Sequence, residues 1–151
     1  MPVLHLLVLA CVSLQAAIAA AKRPASLDEL RSVTKLDRRA ELAMRLAHDR
    51  LDQARAAYLS GEVEQFRKAV EECSEAVEIG FDALVSLGRN PRRHPGPYKR
   101  LEIELRRLMN RARALQDQMS VFDREWLEPL IHRAEELHER LLRAIMEGKK
   151  L

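Results

Sequence analysis

Three of the chain's six prolines and two of its five glycines fall in one tract, Gly88-Arg89-Asn90-Pro91-Arg92-Arg93-His94-Pro95-Gly96-Pro97. Proline lacks the amide hydrogen that helices and sheets use, and glycine costs more entropy to order than any other residue. The tract is therefore expected to be neither helix nor strand, and to be the one long connection in the chain. On both sides of it apolar residues recur at three- and four-residue spacing, the period of amphipathic helices. That punctuation predicts two helical hairpins folded against each other: an all-α, antiparallel four-helix bundle over residues 35–148.

The first long helix is expected from about Lys35 to Ser60, capped by Thr34, with a stripe of Leu36, Ala40, Ala43, Ala47, Leu51, Ala54 and Tyr58. Most of that stripe is alanine, and small side chains let a partner helix approach closely. Gly61 is placed to end it in a left-handed cap. The second helix, about Glu62 to Leu87, gathers Phe66, Val70, Cys73, Val77, Gly80 and Leu84 in one sector, flanked by Val63, Ala69 and Phe81. Glycine in that sector costs about 1 kcal/mol of helix propensity relative to alanine, so a second backbone is expected to pass close to Gly80.

The third helix, about Tyr98 to Gln118, has Leu101, Leu105, Leu108, Ala112, Leu115 and Met119 on one face, with Ile103 pointing away. In the last segment Leu127, Leu130, Ile131, Ala134, Leu137, Leu141 and Ile145 face one way until Gly148. Pro129 interrupts it, predicting either a kink or a short turn over 121–127 followed by a helix from near Pro129. Residues 22–34 form a lead-in, flexible or a short helix opened by the capping-box spacing of Ser26 and Glu29.

Residues 1–21 contain no Asp, Glu, Lys or Arg and run from an apolar block into Ala16-Ala17-Ile18-Ala19-Ala20-Ala21. This reads as an export signal with small residues at its cleavage site, although no Lys or Arg precedes the apolar run. An uncleaved membrane anchor is the alternative. The protein is thus expected to be exported, periplasmic or extracellular. Cleavage near Ala19 to Ala21 also removes Cys11, leaving Cys73 on a core face and no internal disulfide. The remaining chain of about 130 residues is one domain by length.

A net charge of +3 conceals a strong polarity. Residues 61–87 hold seven acids against Arg67 and Lys68, whereas 88–113 hold nine bases against Glu102 and Glu104. One reading is internal pairing between an acidic helix and a basic neighbour, leaving ordinary solvated faces. The other is that Arg89, Arg92, Arg93, Lys99 and Arg100 form a cationic edge held by the prolines and able to grip an acidic partner or an anionic surface. Nucleic acid is not expected as a partner, since Tyr98 is the only nearby aromatic available for base stacking.

No catalytic arrangement is visible. There is no Gly-x-Ser-x-Gly, glycine is too scarce for a phosphate cradle, and the one cysteine beyond residue 21 lies on a core stripe. Cys-x-x-Cys-His is absent, so no covalent haem is expected. Glu135-x-x-His138 has the spacing of one half of a di-iron site, but no second such pair exists. His132 and His138 lie about 240° apart on a helical wheel and cannot share one ion. No metal or other cofactor is therefore expected, with His138 packed against Glu135 and His132 exposed. Phe122 and Trp126 are expected to cover one end of the core, with anchoring a partner as the alternative.

The chain resembles a group of short, exported, all-helical bacterial proteins of uncharacterised function. The resemblance is carried by Gly88-x-Asn90-Pro91-Arg92-Arg93, Lys99-Arg100-x-Glu102-Ile103, Met119-Ser120-Val121-x-Asp123-Arg124 and Ile145-Met146-x-Gly148-Lys149-Lys150. It implies a fold and an address, and brings neither an activity nor site residues. The expected role is a non-enzymatic binding or structural module of the bacterial cell envelope. Its partner is expected to be an envelope protein or an anionic polymer or lipid head group. Membrane contact is expected only through residues 1–21, and homodimerisation through the Leu42 and Leu46 side of the first helix is a further expectation.

Overall fold

The computed structural model describes residues 24–151, so the expected signal segment lies outside the described residues. A short helix, α1 (Leu27–Ser32), leads into α2 (Leu36–Leu59) and α3 (Val63–Ser86), and after the connection come α4 (Pro95–Gln118), a 3-10 turn (Arg124–Trp126) and α5 (Glu128–Glu147). The four long helices form an all-α bundle. No helix among the described residues is long and apolar enough to cross a membrane.

Lead-in residues form α1 because the Ser26 hydroxyl accepts the Glu29 amide at 3.2 Å while the Glu29 carboxylate reaches back to the Ala25 amide at 2.8 Å. These bonds satisfy backbone donors that a helix start otherwise leaves open. Leu30 is thereby driven into the core, fully buried. Thr34 is not the cap of α2; Lys35 occupies that position, without a side-chain bond. Gly61, Gly88 and Gly148 all have positive φ and stop the helices before them, as left-handed caps do.

Most residues of the expected stripes are the core, with Leu36, Tyr58, Val70 and Ile145 half-buried. Leu101, Leu105, Leu108, Ala112, Leu115 and Met119 of the third helix are all buried, as are Leu127, Leu130, Ile131, Ala134, Leu137 and Leu141 of the last. Helix α2 packs most extensively on α3 and also meets α1 and α4, while α5 meets α3 and α4. With neighbours on three sides, α2 buries more than one stripe. Leu42 and Leu46 are 6% and 1% exposed, so that side is not available for a dimer. Ile103 is half-buried rather than exposed.

The α2/α3 seam is built from small residues. A side-chain carbon added at Gly80 would stand 3.0 Å from the Ala43 methyl and 3.5 Å from the Ala40 carbonyl oxygen. The close backbone approach expected at Gly80 is therefore present. Cys73 lies in the same seam, fully buried, its thiol donating to the Ala47 carbonyl at 3.2 Å.

Two boundaries depart from expectation. Helix α4 begins at Pro95, so Pro95, Gly96 and Pro97 are its first turn rather than loop. The first turn is where a proline nitrogen forfeits nothing, because those amides have no partner inside the helix. At Pro129 the alternative of a turn followed by a new helix is the one realised: Pro129 sits in the first turn of α5. Of the two aromatics expected to close the core, Trp126 packs on Phe66 with ring centroids 5.8 Å apart, whereas Phe122 stands 88% exposed.

Candidate functional site

The connection from Leu87 to His94 is pinned mainly by one side chain, that of Asn90. Its Oδ1 accepts the Arg92 amide at 2.9 Å, and its Nδ2 donates to the Gly148 carbonyl at 3.0 Å, tying the loop to the end of α5. Its backbone oxygen accepts the Arg93 and His94 amides at 3.1 and 2.9 Å. Asparagine is suited to this because its short amide can close a turn onto its own backbone. The Tyr98 hydroxyl donates to the Arg89 carbonyl, and burial pushes that phenol's pKa upward against the opposing charge of Arg89. Pro91 is buried beneath. The loop is therefore held by Asn90 and Tyr98 as much as by its prolines.

On this frame the five cations differ in what surrounds them. Arg89, Arg92, Arg93, Lys99 and Arg100 are all exposed, and none forms an ion pair among the described residues. The aliphatic part of Arg92 runs along Gly148, where any added side chain would collide with it. That puts Arg92 over the carbonyl end of α5, which carries partial negative charge. Arg100 turns to the groove between α2 and α4, beside Asp37, Glu41 and Glu104. There burial raises the Glu41 pKa, but the bond and charge of Arg38 and the charges of Arg45 and Arg100 bring it below the usual carboxylate range. Arg89, Arg93 and Lys99 remain as the cations with no local anion in the observed contacts.

Three acids of α3 are paired from other helices. Glu72 pairs with Arg50 of α2 at 2.5 Å, Glu75 with Arg31 of α1, and Glu78 with Arg133 of α5. The expected pairing of the acidic helix with the basic stretch does not occur. Within that stretch, Arg111 meets Asp52 and Arg113 meets Glu135.

Sequence reasoning missed two histidine–carboxylate contacts. Glu104 bonds His48 Nε2 at 3.1 Å, and Glu102 bonds His138 Nε2 at 3.0 Å, so these two acids of α4 reach to opposite neighbours, α2 and α5. His138 therefore takes Glu102 rather than Glu135, whose carboxylate is bonded by Arg113. The available signal was that Glu102 and Glu104 are the only acids in a nine-base stretch. His48 Nδ1 lies 2.8 Å from an Arg111 nitrogen, so it accepts there while Nε2 donates to Glu104. Burial lowers the His48 pKa, and Arg111 lowers it further against the opposing Glu104 and Asp52. An imidazole with both nitrogens engaged has no free lone pair to act as a base.

Burial also pushes the Cys73 thiol up to about 12, leaving it a packed side chain with no reactive thiolate at neutral pH. His132 is exposed. Among the described residues no group of three or more His, Cys, Asp or Glu side chains is arranged to hold a metal ion. In comparisons with known proteins, no family model, no curated protein and no solved structure matches this chain.

Proposed function

We propose that this chain is a non-enzymatic binding or structural module of the bacterial cell envelope that engages an acidic partner through Arg89, Arg93 and Lys99, with Arg92 and Arg100 at the margins. The observation that carries the reading is a contrast in pairing. Arg31, Arg38, Arg45, Arg50, Arg107 and Arg133 each meet a carboxylate, whereas Arg89, Arg93 and Lys99, like Arg55, Arg67, Arg124, Arg140 and Arg143, form no ion pair among the described residues, and these three stand on or just beyond a loop whose backbone is fixed by Asn90. A partner acid meeting cations carried by a preordered backbone avoids the cost of ordering a flexible loop. The envelope address rests on the export-signal pattern of residues 1–21.

The test is affinity capture from native envelope extract by the chain from Lys22 onward, beside an Arg89→Glu/Arg93→Glu/Lys99→Glu variant, at low and moderate salt. Retention of one protein by the parent at moderate salt, and its loss by the variant, supports the reading. Retention of only anionic polymer or lipid, stripped by salt, replaces the acidic protein by a polyanion as the ligand. Equal behaviour of parent and variant overturns the site.

A further inference from the structure

The end of the bundle opposite the basic loop carries two inter-helix turns, α2 to α3 and α4 to α5, and between them a cavity of about 220 Å³ lined by Tyr58, Gly61, Val63, Phe66, Asp123 and Trp126. Phe66 is its floor, fully buried, with the Tyr58 and Trp126 rings each 5.8 Å from it and tilted by 59° and 51°. One carboxylate joins this aromatic lining. Asp123 Oδ2 accepts the Tyr58 hydroxyl at 3.0 Å and the Ser120 hydroxyl at 2.7 Å, while Oδ1 has no hydrogen bond among the described residues. The Ser120 amide in turn donates to the Tyr58 oxygen at 2.9 Å, so ring, carboxylate and turn are locked together.

Aromatic faces carry negative electrostatic potential, and rings gathered beside an anion attract a cation that is itself apolar on its surface. The Trp126 indole already draws a cation: the Arg67 guanidinium carbon lies 5.3 Å from its ring centroid, and Arg67 does not line the cavity. An anion is repelled by this lining, and a neutral apolar molecule gains nothing from Asp123. We propose that the cavity binds a quaternary ammonium group. The chain segments that carry this lining also expose Leu59, Val63, Val121 and Phe122, at 69%, 39%, 75% and 88%. That apolar surface suits the same group whether it is carried by a choline-type lipid head or by a free alkylammonium compound, and it is independent of the basic loop at the other end.

Trp126 is the only tryptophan in the chain, so its fluorescence reports on the cavity directly. The experiment titrates the protein with choline chloride, with sodium chloride at matched ionic strength, and with 3,3-dimethylbutanol, the uncharged carbon analogue of choline. The expected result is a saturable change with choline alone, weakened about tenfold by Asp123→Asn, which keeps an oxygen for the Tyr58 bond. Val63→Phe, a substitution at a half-exposed wall, is expected to abolish the response by filling the cavity, and it serves as the test where Asp123→Asn loses helicity. Phe122→Ser is expected to leave free choline binding unchanged. Phosphatidylcholine vesicles bound by the parent and released by Phe122→Ser assign the group to a lipid head, whereas choline binding without vesicle binding assigns it to a free compound. No saturable response to choline, an equal response to the neutral analogue, or binding untouched by Val63→Phe overturns the proposal.

Discussion

Gly80→Ala should destabilise the protein even though it improves helix propensity, and the Ala43 methyl is the reason. Propensity alone favours alanine by about 1 kcal/mol in a helix interior. Against this, the new methyl stands 3.0 Å from the Ala43 methyl, where carbon atoms prefer about 3.5–4.0 Å. Ala43 has no rotamer to change and the Ala40 carbonyl oxygen is 3.5 Å away, so the relief must come from moving α2 off α3. Overpacking of that kind costs about 1–3 kcal/mol. The net expectation is a loss of about 1 kcal/mol, which lowers a urea midpoint by about 0.5 M at an m-value near 2 kcal/mol/M. In an Ala43→Gly background the new methyl has room, and the same Gly80→Ala change should recover its propensity and stabilise by about 1 kcal/mol. The coupling in the double-mutant cycle is then about 2 kcal/mol. Urea titrations of the four proteins followed by helical circular dichroism measure it. A stabilising Gly80→Ala in the parent, with no coupling to Ala43, refutes the close-approach account.

Other consequences are simpler to state. Cys73, with its thiol buried and pushed up to about 12, should resist a thiol reagent at pH 8 in the folded protein and react at once in denaturant; prompt labelling of the native state contradicts the packing described. Tyr58→Phe removes the donor to Asp123 and the acceptor of the Ser120 amide, and should cost about 1–2 kcal/mol in thermal or urea unfolding. His48 has a lowered pKa in the fold, so its contribution is present above its unfolded pKa of about 6.5 and is lost as pH falls through the folded value; between pH 7.5 and 5 the parent should lose more stability than His48→Gln. Asn90→Ala changes no charge yet releases the loop from Arg92 and Gly148, so it should weaken capture of an acidic partner while leaving simple polyanion binding and its salt dependence nearly unchanged.

Much of this fold was legible because burial follows helical period. The stripe from Leu101 to Met119 and the stripe from Leu127 to Leu141 are the core as spaced in the sequence. Gly80 was readable because a propensity cost inside a core face needs a steric reason. What periodicity misses is context. Leu42 and Leu46 read as a spare face on a single helix, but α2 has neighbours on three sides. Pro95-Gly96-Pro97 reads as loop by composition, yet the first helical turn needs no amide donors from it. Phe122 and Trp126 look alike in sequence, and only the turn pinned by Ser120, Asp123 and Tyr58 separates the half-buried ring packed on the core from the exposed one. In the basic stretch, charge counting located the cations along the chain but not their surroundings, since it is blind to Arg92 lying along Gly148 and to Arg100 turning toward α2.

The unneutralised loop follows from which helices are neighbours. In a chain with an acidic helix followed directly by a basic one, the simplest outcome is mutual pairing. Here α3 and α4 touch only lightly, while α3 packs on α2 and α5 and receives its arginines from them and from α1. The two acids in the basic stretch are consumed by His48 and His138, and also bond Arg107 and Arg106. Glu102, Glu104, Asp52 and Glu135 are thus engaged along α4, whereas Arg89, Arg93 and Lys99 at its start meet no carboxylate. A loop that merely needed to connect two hairpins would be served by any polar sequence. This one concentrates cations where no carboxylate meets them, and Asn90 fixes the backbone of the loop.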